Sequence, residues 1–278
     1  MASRWRPSSN NGAAAGTGDF AAYAVQYNAC MLARIVFAAA SAALLPAQMV
    51  TNFEPPRAGC CLAGVAQTLA GQLQDWNQLG RYHADNARLK AQPAERDRVV
   101  FFGDSITDGW KLAASFPGKP YVNRGIGGQT TAQMLVRMMP DVIANKPAAF
   151  ILLAGTNDIA QNAGPQTLEM ITQNIQAMSE LARAHNIKVI LCTLLPVSDY
   201  TRRPQTKRRP PADILALNGW IKEYAAQTGA TVADYYTATV DEKGFLKDGY
   251  SDDGLHPDAR GYELMAPVAT AAIGQALR

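Results

Sequence analysis

The stretch Arg98–Ser105 reads RVVFFGDS and is followed by the residues ITDG, which end at Gly109. A run of β-branched and aromatic residues that ends in glycine and two polar residues is typical of a buried strand. Such a strand would deliver the hydroxyl of Ser105 to the end of a sheet, where a nucleophile can meet a substrate. A motif as short as Gly103–Ser105 can also occur by chance. The interpretation therefore requires a catalytic base, a carboxylate that orients the base and hydrogen-bond donors for the oxyanion elsewhere in the chain.

The composition is that of a soluble globular protein. The chain has 278 residues, of which 48% are hydrophobic and 18% charged, and its formal net charge is +3. This length allows one substantial α/β domain with additional segments, and the composition excludes disorder of the whole chain. A basic cluster in residues 201–211 is interpreted as a solvated loop rather than a nucleic-acid interface, because aromatic residues are not interleaved with it. Its cationic residues are Arg202, Arg203, Lys207, Arg208 and Arg209.

Residues 1–55 do not resemble part of a catalytic domain, and we predict a disordered leader. Within it, the segment 31–48 has a short basic head that ends at Arg34, followed by an apolar run. The run is too short to span a bilayer and is typical of a secretory signal, provided that translation begins at Met31. The segment therefore predicts a secreted or periplasmic protein. An Ala-rich helix in a cytoplasmic protein is the alternative.

Residues 56–97 are predicted to form a helical extension and a linker ahead of the main domain, residues 98–278. Between Leu62 and Lys90, apolar residues recur at steps of three and four, which indicates an amphipathic helix that packs on the main domain. His83 within it is interpreted as a surface residue. The apolar positions are Leu62, Val65, Leu69, Leu73, Trp76, Leu79 and Tyr82.

In the main domain, short apolar segments alternate with amphipathic ones, which predicts a mostly parallel sheet covered on both faces. The predicted strands are 98–103, 121–123, 148–154, 187–193 and 231–235. The predicted helices are 130–145, 166–186, 211–228 and 258–277. Ligands bind beyond the carboxyl ends of the strands in such a sheet. Three polar motifs follow the first three strands: Gly103–Ser105, Arg124–Gln129 and Gly155–Asp158.

A serine hydroxyl needs a neighbouring imidazole to take its proton, and the imidazole needs a carboxylate to fix its tautomer. Of the three histidines, His83 and His185 are interpreted as surface residues, whereas His256 lies in a turn-rich loop before the last helix. Asp253 precedes it by three residues, so its carboxylate can reach the ring nitrogen that faces away from the serine. Asp252 is the competing carboxylate. A helix-capping loop or weak metal ligation is the alternative interpretation.

The developing oxyanion also needs donors that are held in place. Gly128 can bring a bare backbone N–H close to the substrate, Asn157 can offer its side-chain amide, and the N–H of Ser105 begins the following turn. A simple tight turn and a loop-stabilising amide are the alternatives for the glycine and the asparagine. Asp104 and Asp158 are expected to hold loops rather than to react.

Together, these motifs resemble the four blocks of the SGNH or GDSL hydrolase superfamily. The blocks are Gly103–Ser105, Gly128, Gly155–Asp158 and Asp253–His256. The stretch Asn123–Thr131 is similar to the branch related to the catalytic subunits of platelet-activating-factor acetylhydrolase. The resemblance covers roughly residues 98–270.

The resemblance implies a flavodoxin-like three-layer α/β/α sandwich around a mostly parallel five-stranded sheet. It also implies a catalytic triad of Ser105, Asp253 and His256. The oxyanion hole would come from Ser105, Gly128 and Asn157. The G-x-S-x-G elbow of ordinary α/β-hydrolases is absent from the sequence, which disfavours that fold.

We expect an ester hydrolase that works through an acyl-enzyme with no metal or organic cofactor. Short acyl groups, above all acetyl, on carbohydrates or small molecules are the expected substrates, since no long apolar lid is evident. Trp110, Gln129 and the loop 197–211 are predicted to contact the substrate, and the basic residues of that loop could favour anionic esters. Gln129 stands where the resembled branch often carries Asp, which leaves the substrate preference open.

Three alternatives stay open at this stage. The first is a lysophospholipase or thioesterase of the same superfamily, and the second is a noncatalytic carbohydrate-binding protein. The third is a metal-dependent hydrolase that uses Asp104, Asp253 and His256. The sequence predicts no oligomeric state.

Overall fold

The computed structural model describes residue 71, residues 73–93 and residues 95–278. The predicted leader 1–55 and its signal-like segment 31–48 lie outside these residues, so both stay predictions. No helix within the described residues is long and apolar enough to cross a bilayer.

Strands and helices alternate along the chain. The strands are β1 (Val99–Gly103), β2 (Tyr121–Gly125), β3 (Ala149–Leu153), β4 (Lys188–Cys192) and β5 (Thr231–Ala233). The helices are α1 (His83–Ala91), α2 (Ser105–Asp108), α3 (Leu112–Ser115), α4 (Thr131–Asp141), α5 (Thr156–Ile159), α6 (Leu168–Ala184), α7 (Pro211–Thr228), α8 (Tyr235–Thr239) and α9 (Ala259–Ala276). All predicted strands and long helices of the main domain are present. The helices α2, α3, α5 and α8 were not predicted, because a single turn is too short to show a period.

The five strands form one parallel sheet in the order β2-β1-β3-β4-β5. This order is that of flavodoxin-like folds, and helices flank the sheet, so the predicted three-layer α/β/α architecture is confirmed. Every residue of β1 and β3 is buried, which explains why both strands read as continuous apolar runs rather than alternating ones. Helix α6 packs between α4 and α7, and α9 packs on β4 and β5.

Helix α2 lies very close to the end of β2. A Cβ atom at Gly125 would overlap the backbone of Asp108, so only glycine allows this approach. The register places Gly125 beside Gly103, the last residue of β1. The two glycines therefore let the turn that begins with Ser105 fold back over the neighbouring strand.

The prediction of one continuous helix through the extension is wrong in the described residues. Helical backbone at residues 73–74 gives way to turns and resumes only at α1. The carboxylate of Asp75 accepts the backbone N–H groups of Leu79 (2.7 Å) and Gly80 (2.8 Å), and Gln78 has a φ of 57°. These contacts hold a turn in place of helical hydrogen bonds. The apolar face is also open to solvent, since Leu73 is 85% exposed.

Polar contacts attach the extension to the main domain instead. The buried side chain of Asn86 donates to Asp141 (2.6 Å) and accepts from Arg124 (2.9 Å) and Asn145 (2.9 Å). The hydroxyl of Tyr82 donates to the carbonyl of Gly125. The extension therefore meets the main domain at the end of β2, beside the predicted site.

Candidate active site

The predicted nucleophile lies where β1 gives way to α2. The Asp104 carboxylate caps α2 by accepting the N–H of Ile106 at 2.9 Å, which makes Ser105 the first helical residue. The Ser105 Oγ lies 2.8 Å from Nε2 of His256, within hydrogen-bond distance.

The histidine comes from the loop before α9, and its other ring nitrogen meets Asp253. The distance from His256 Nδ1 to Asp253 Oδ2 is 2.6 Å. Asp253 Oδ1 accepts the backbone N–H groups of Leu255 (3.0 Å) and His256 (2.9 Å), which fixes the carboxylate against the ring. Asp252, the competing carboxylate, is exposed and makes no contact with the imidazole in the described structure. With Nδ1 donating to Asp253, Nε2 is free to accept the serine proton.

The electrostatics favour an ionised Asp253. Burial acts to raise its pKa, but the N–H groups of His256 and Leu255 and the imidazole oppose this effect, and the resulting pKa is about 2. The carboxylate is therefore charged at neutral pH and can stabilise an imidazolium.

The three predicted oxyanion donors each retain a free N–H. The backbone N–H groups of Ser105 and Gly128 have no hydrogen-bond acceptor within the described part of the chain. Gly128 has a φ of 80°, a conformation that favours glycine. Asn157 is buried, and its Nδ2 donates one hydrogen bond to the carbonyl of Gln129 at 3.1 Å, which leaves its second hydrogen available.

The Gly127–Gly128 turn is held close to the serine. A Cβ atom at Gly127 would lie 3.7 Å from the Cβ of Ser105. The N–H of Gly127 donates to Asp108 Oδ2 at 3.3 Å, and Arg81 of the extension donates to Asp108 Oδ1 at 3.2 Å. The extension thus braces the turn, a contribution that the sequence did not predict.

Asp158 holds a loop, as the residue pattern predicts. Its buried carboxylate accepts the N–H of Thr131 at 3.0 Å and the Thr131 hydroxyl at 2.6 Å, which ties α5 to the start of α4. Burial raises the pKa of Asp158, and these hydrogen bonds oppose the rise.

Two predicted substrate contacts have side chains in the interior. Trp110 is 4% exposed and stacks on Tyr262 with ring centroids 5.3 Å apart, while its Nε1 donates to Ser115 at 2.9 Å. Gln129 is 1% exposed and bonds the carbonyl of Asn77 (2.9 Å) and Arg137 Nε (2.5 Å). The structure therefore does not bring the indole N–H of Trp110 or the amide of Gln129 to the Ser105 hydroxyl.

The interpretation of the basic cluster as a solvated loop is wrong for its last residue. Arg209 is 4% exposed, whereas Arg202, Arg203, Lys207 and Arg208 are exposed. The Arg209 Nε donates to the carbonyl of Thr156 at 3.2 Å and its Nη2 to Asn157 Oδ1 at 3.3 Å. Its position directly before Pro210, the N-cap residue of α7, gave no signal of this burial.

Two clefts lie near the predicted residues. One, of about 620 Å³, is lined by the Gly127–Gly128 turn, Asn162 and four residues of the extension, Gly71, Asp75, Trp76 and Gln78. The other, of about 910 Å³, is more apolar and lies between α3 and α9, where Trp110 and Pro257 contribute to its wall. Among the described residues, no group of three His, Cys, Asp or Glu side chains is placed to hold a metal ion.

Comparison with known proteins identifies the family. The model of the GDSL-like lipase/acylhydrolase family matches residues 101–264, more than half of the chain. The chain belongs to this family. The predicted superfamily resemblance is confirmed, and so is the predicted class of enzyme, a carboxylic ester hydrolase.

Relatives agree with this assignment. A GDSL-like lipase from Bacteroides thetaiotaomicron is 38% identical, with a TM-score of 0.66, over 72% of this chain and 99% of that one. The esterase TesA from Pseudomonas aeruginosa is 27% identical over 61% of this chain and 84% of its own length. An acetylxylan esterase from Xylanibacter ruminicola is 25% identical over 66% of this chain. That alignment covers 45% of the acetylxylan esterase. A lipoprotein from Bacillus subtilis is 32% identical over 36% of this chain, and the alignment covers 49% of the lipoprotein.

The buried Asp104 predicts a pH-dependent stability. Burial raises its pKa from 3.8 to about 6, although the N–H of Ile106 and the electrostatic interactions with His256 and Arg209 oppose the rise. Between about pH 4 and 6 the folded protein holds a proton that the unfolded chain releases, so the free energy of unfolding falls as the pH rises. Asp104→Asn removes this titration and flattens the curve in that range. Urea unfolding at a series of pH values measures it.

The matched control is Asp252→Asn, because Asp252 is an exposed carboxylate of the same site region. This variant should keep the wild-type slope. An Asp104→Asn variant with the wild-type slope would show that Asp104 is not the titrating group.

Proposed function

We propose that the protein is a serine esterase that works through an acyl-enzyme, with Ser105 as nucleophile, His256 as base and Asp253 as the carboxylate that orients it. The observation that carries the proposal is the continuous contact from Ser105 Oγ to His256 Nε2 (2.8 Å) and from His256 Nδ1 to Asp253 Oδ2 (2.6 Å). These are the distances that proton transfer from a nucleophile to a base requires.

In the first half of the reaction, Ser105 Oγ attacks the ester carbonyl while Nε2 of His256 takes its proton. The carbonyl oxygen becomes an oxyanion, which accepts hydrogen bonds from the N–H groups of Ser105 and Gly128 and from the amide of Asn157. His256 then donates the proton to the departing alcohol oxygen as the carbon–oxygen bond breaks. The products of this half are the free alcohol and an ester between the acyl group and Ser105.

In the second half, water replaces the alcohol. His256 takes a proton from the water, whose oxygen attacks the acyl carbon, and the same donors stabilise the second oxyanion. The bond to Ser105 Oγ breaks, and Oγ recovers a proton from His256. The carboxylic acid leaves, so no group of the enzyme is consumed.

For the substrate, we propose short acyl esters, acetyl above all, of carbohydrates or small molecules. Support comes from the 620 Å³ cleft beside Gly128, which presents polar side chains and the half-exposed ring of Trp76. A ring face next to hydrogen-bonding groups suits a sugar, which has apolar C–H faces and hydroxyl edges. One relative is named an acetylxylan esterase.

A thioesterase or lysophospholipase is the second candidate, because the 910 Å³ cleft is apolar and adjoins Pro257, the residue after the predicted base. Another relative is named thioesterase 1/protease 1/lysophospholipase L1. A p-nitrophenyl ester series from acetate to decanoate separates the two candidates. The proposal expects the highest kcat/KM on acetate, and a maximum on decanoate would favour the second candidate.

Replacement of the nucleophile tests the reaction. Ser105→Ala should lower kcat on p-nitrophenyl acetate by about 10⁴–10⁶-fold, because the acyl group then has no hydroxyl to bind. Ser115→Ala is the matched control and should keep wild-type activity, since within the described residues the Ser115 hydroxyl contacts the Trp110 indole N–H and no group of the predicted triad. Circular dichroism checks that both variants fold. Wild-type turnover by a folded Ser105→Ala protein would refute the assignment.

Replacement of Trp76 tests the substrate. Trp76→Ala should raise KM for an acetylated xylooligosaccharide about tenfold, as expected for the loss of one aromatic contact, and change kcat/KM on p-nitrophenyl acetate less than about twofold. Leu79→Ala, at a comparably exposed residue of the same segment, is the control. An unchanged KM for the acetylated sugar would remove Trp76 from the substrate site.

A further inference from the structure

A buried cation lies directly behind one of the predicted oxyanion donors. Arg209 is 4% exposed, yet it forms no ion pair with a carboxylate in the part of the chain that the structure describes. Its guanidinium instead donates to neutral oxygen atoms. An arginine that is taken out of water without a paired anion is costly to fold, so its position calls for a physical explanation.

The contacts of Arg209 converge on helix α5. Its Nε donates to the carbonyl (3.2 Å) and the hydroxyl (3.1 Å) of Thr156, and its Nη2 donates to Asn157 Oδ1 at 3.3 Å. Asn162 Nδ2 donates to the same Oδ1 at 2.9 Å. Two donors on Oδ1 prevent the amide from rotating by half a turn, because its NH₂ group would then face them. The free N–H of Asn157 is thereby held in one direction.

The cation also acts on the amide electronically. A positive charge on the oxygen side of an amide draws electron density from its nitrogen, which makes the N–H a stronger donor. An oxyanion that forms at the N–H gains from this polarisation, and it also lies within the field of the guanidinium. Both effects are larger in a buried site than in water.

The Nη1 atom of Arg209 is connected, through Gln205, to the loop that carries Asp253 and His256. Its Nη1 donates to Gln205 Oε1 at 3.0 Å, and Gln205 Nε2 donates to the carbonyl of Asp253 at 3.0 Å. The Asp199 carboxylate accepts the N–H of Gln205 at 2.6 Å, which fixes the loop. Residues 199–209 thus form a strap between the loop that carries Asp253 and the helix that carries Asn157.

We propose that Arg209 is a positioning residue for ester hydrolysis: it orients and polarises the Asn157 amide, and through Gln205 it holds that amide in register with the Asp253–His256 loop. This inference rests on the proposed serine mechanism. It assigns the basic strap a role within the site, and it makes Arg209 unavailable to bind an anionic substrate.

The first test compares kcat with KM on p-nitrophenyl acetate. Arg209→Gln should lower kcat about 10–100-fold, less than the roughly 10²–10³-fold loss of a whole oxyanion donor, and leave KM within about threefold. Arg209→Lys keeps the charge but not the fork of donors, so kcat should recover only in part. Arg202→Gln, at an exposed residue of the same strap, is the control and should keep wild-type kcat. A loss confined to KM would overturn the proposal.

A double-mutant cycle tests whether Arg209 acts through Asn157. Asn157→Ala should lower kcat about 10²–10³-fold, and adding Arg209→Gln should then cost less than about threefold more, because the amide that Arg209 positions is gone. Losses that multiply would contradict the proposal. If Arg209→Gln does not fold, Gln205→Ala takes its place in the cycle. This variant removes the link between Arg209 and the carbonyl of Asp253, but it keeps the guanidinium beside Asn157.

The outcomes distinguish this inference from the proposed function. If Ser105→Ala retains activity, the serine mechanism fails, and the inference fails with it. If Ser105→Ala is inactive while both Arg209→Gln and Gln205→Ala turn over at the wild-type rate, only the role of the strap is refuted.

Discussion

The parallel register of three strands is the constraint on which the site depends. Gly103, Gly125 and Leu153 lie side by side at one edge of the sheet. Each strand is followed there by a short element that carries one predicted group: Ser105 in α2 after β1, the Gly127–Gly128 turn after β2 and Asn157 in α5 after β3. Helix α2 can lie over β2 only because no side chain stands at Gly125. The sheet therefore sets the spacing of groups that are far apart in sequence, and the loops refine it.

Hydrogen bonding sets the difference in pKa between two carboxylates of the site, Asp253 and Asp104. Asp253 accepts two backbone N–H groups as well as the imidazole, and these donors bring its pKa to about 2 despite partial burial. Asp104 accepts one N–H, and its second oxygen has no partner in the described structure, so burial dominates and its pKa is about 6. The same type of side chain thus has a lowered pKa as the predicted orienting group in the loop before α9, and a raised pKa as the helix cap of α2.

Much of the fold and most of the predicted site residues could be predicted from the sequence, because strand ends and turns have recognisable local sequence patterns. The blocks Gly103–Ser105 and Asp253–His256 belong to this kind. The buried polar side chains that support the site have no such pattern, because burial of a polar side chain depends on which distant residues pack over it. Arg209 belongs to a run of cations yet is buried, and Gln129 follows a glycine turn yet points inward. The apolar spacing places Trp76 on a helix face, but the Asp75 turn brings it to a cleft beside Gly128, a predicted oxyanion donor.

Covalent trapping tests the central claim most directly. Diethyl p-nitrophenyl phosphate should phosphorylate Ser105 Oγ with release of p-nitrophenolate, because the predicted oxyanion donors can donate hydrogen bonds to a phosphoryl oxygen as they would to an acyl oxygen. Mass spectrometry of the digested protein should place one diethylphosphoryl group per chain on the peptide that contains Ser105. Loss of esterase activity should follow the extent of labelling. Full activity in completely labelled protein, or complete inhibition with the label on another residue, would contradict the account.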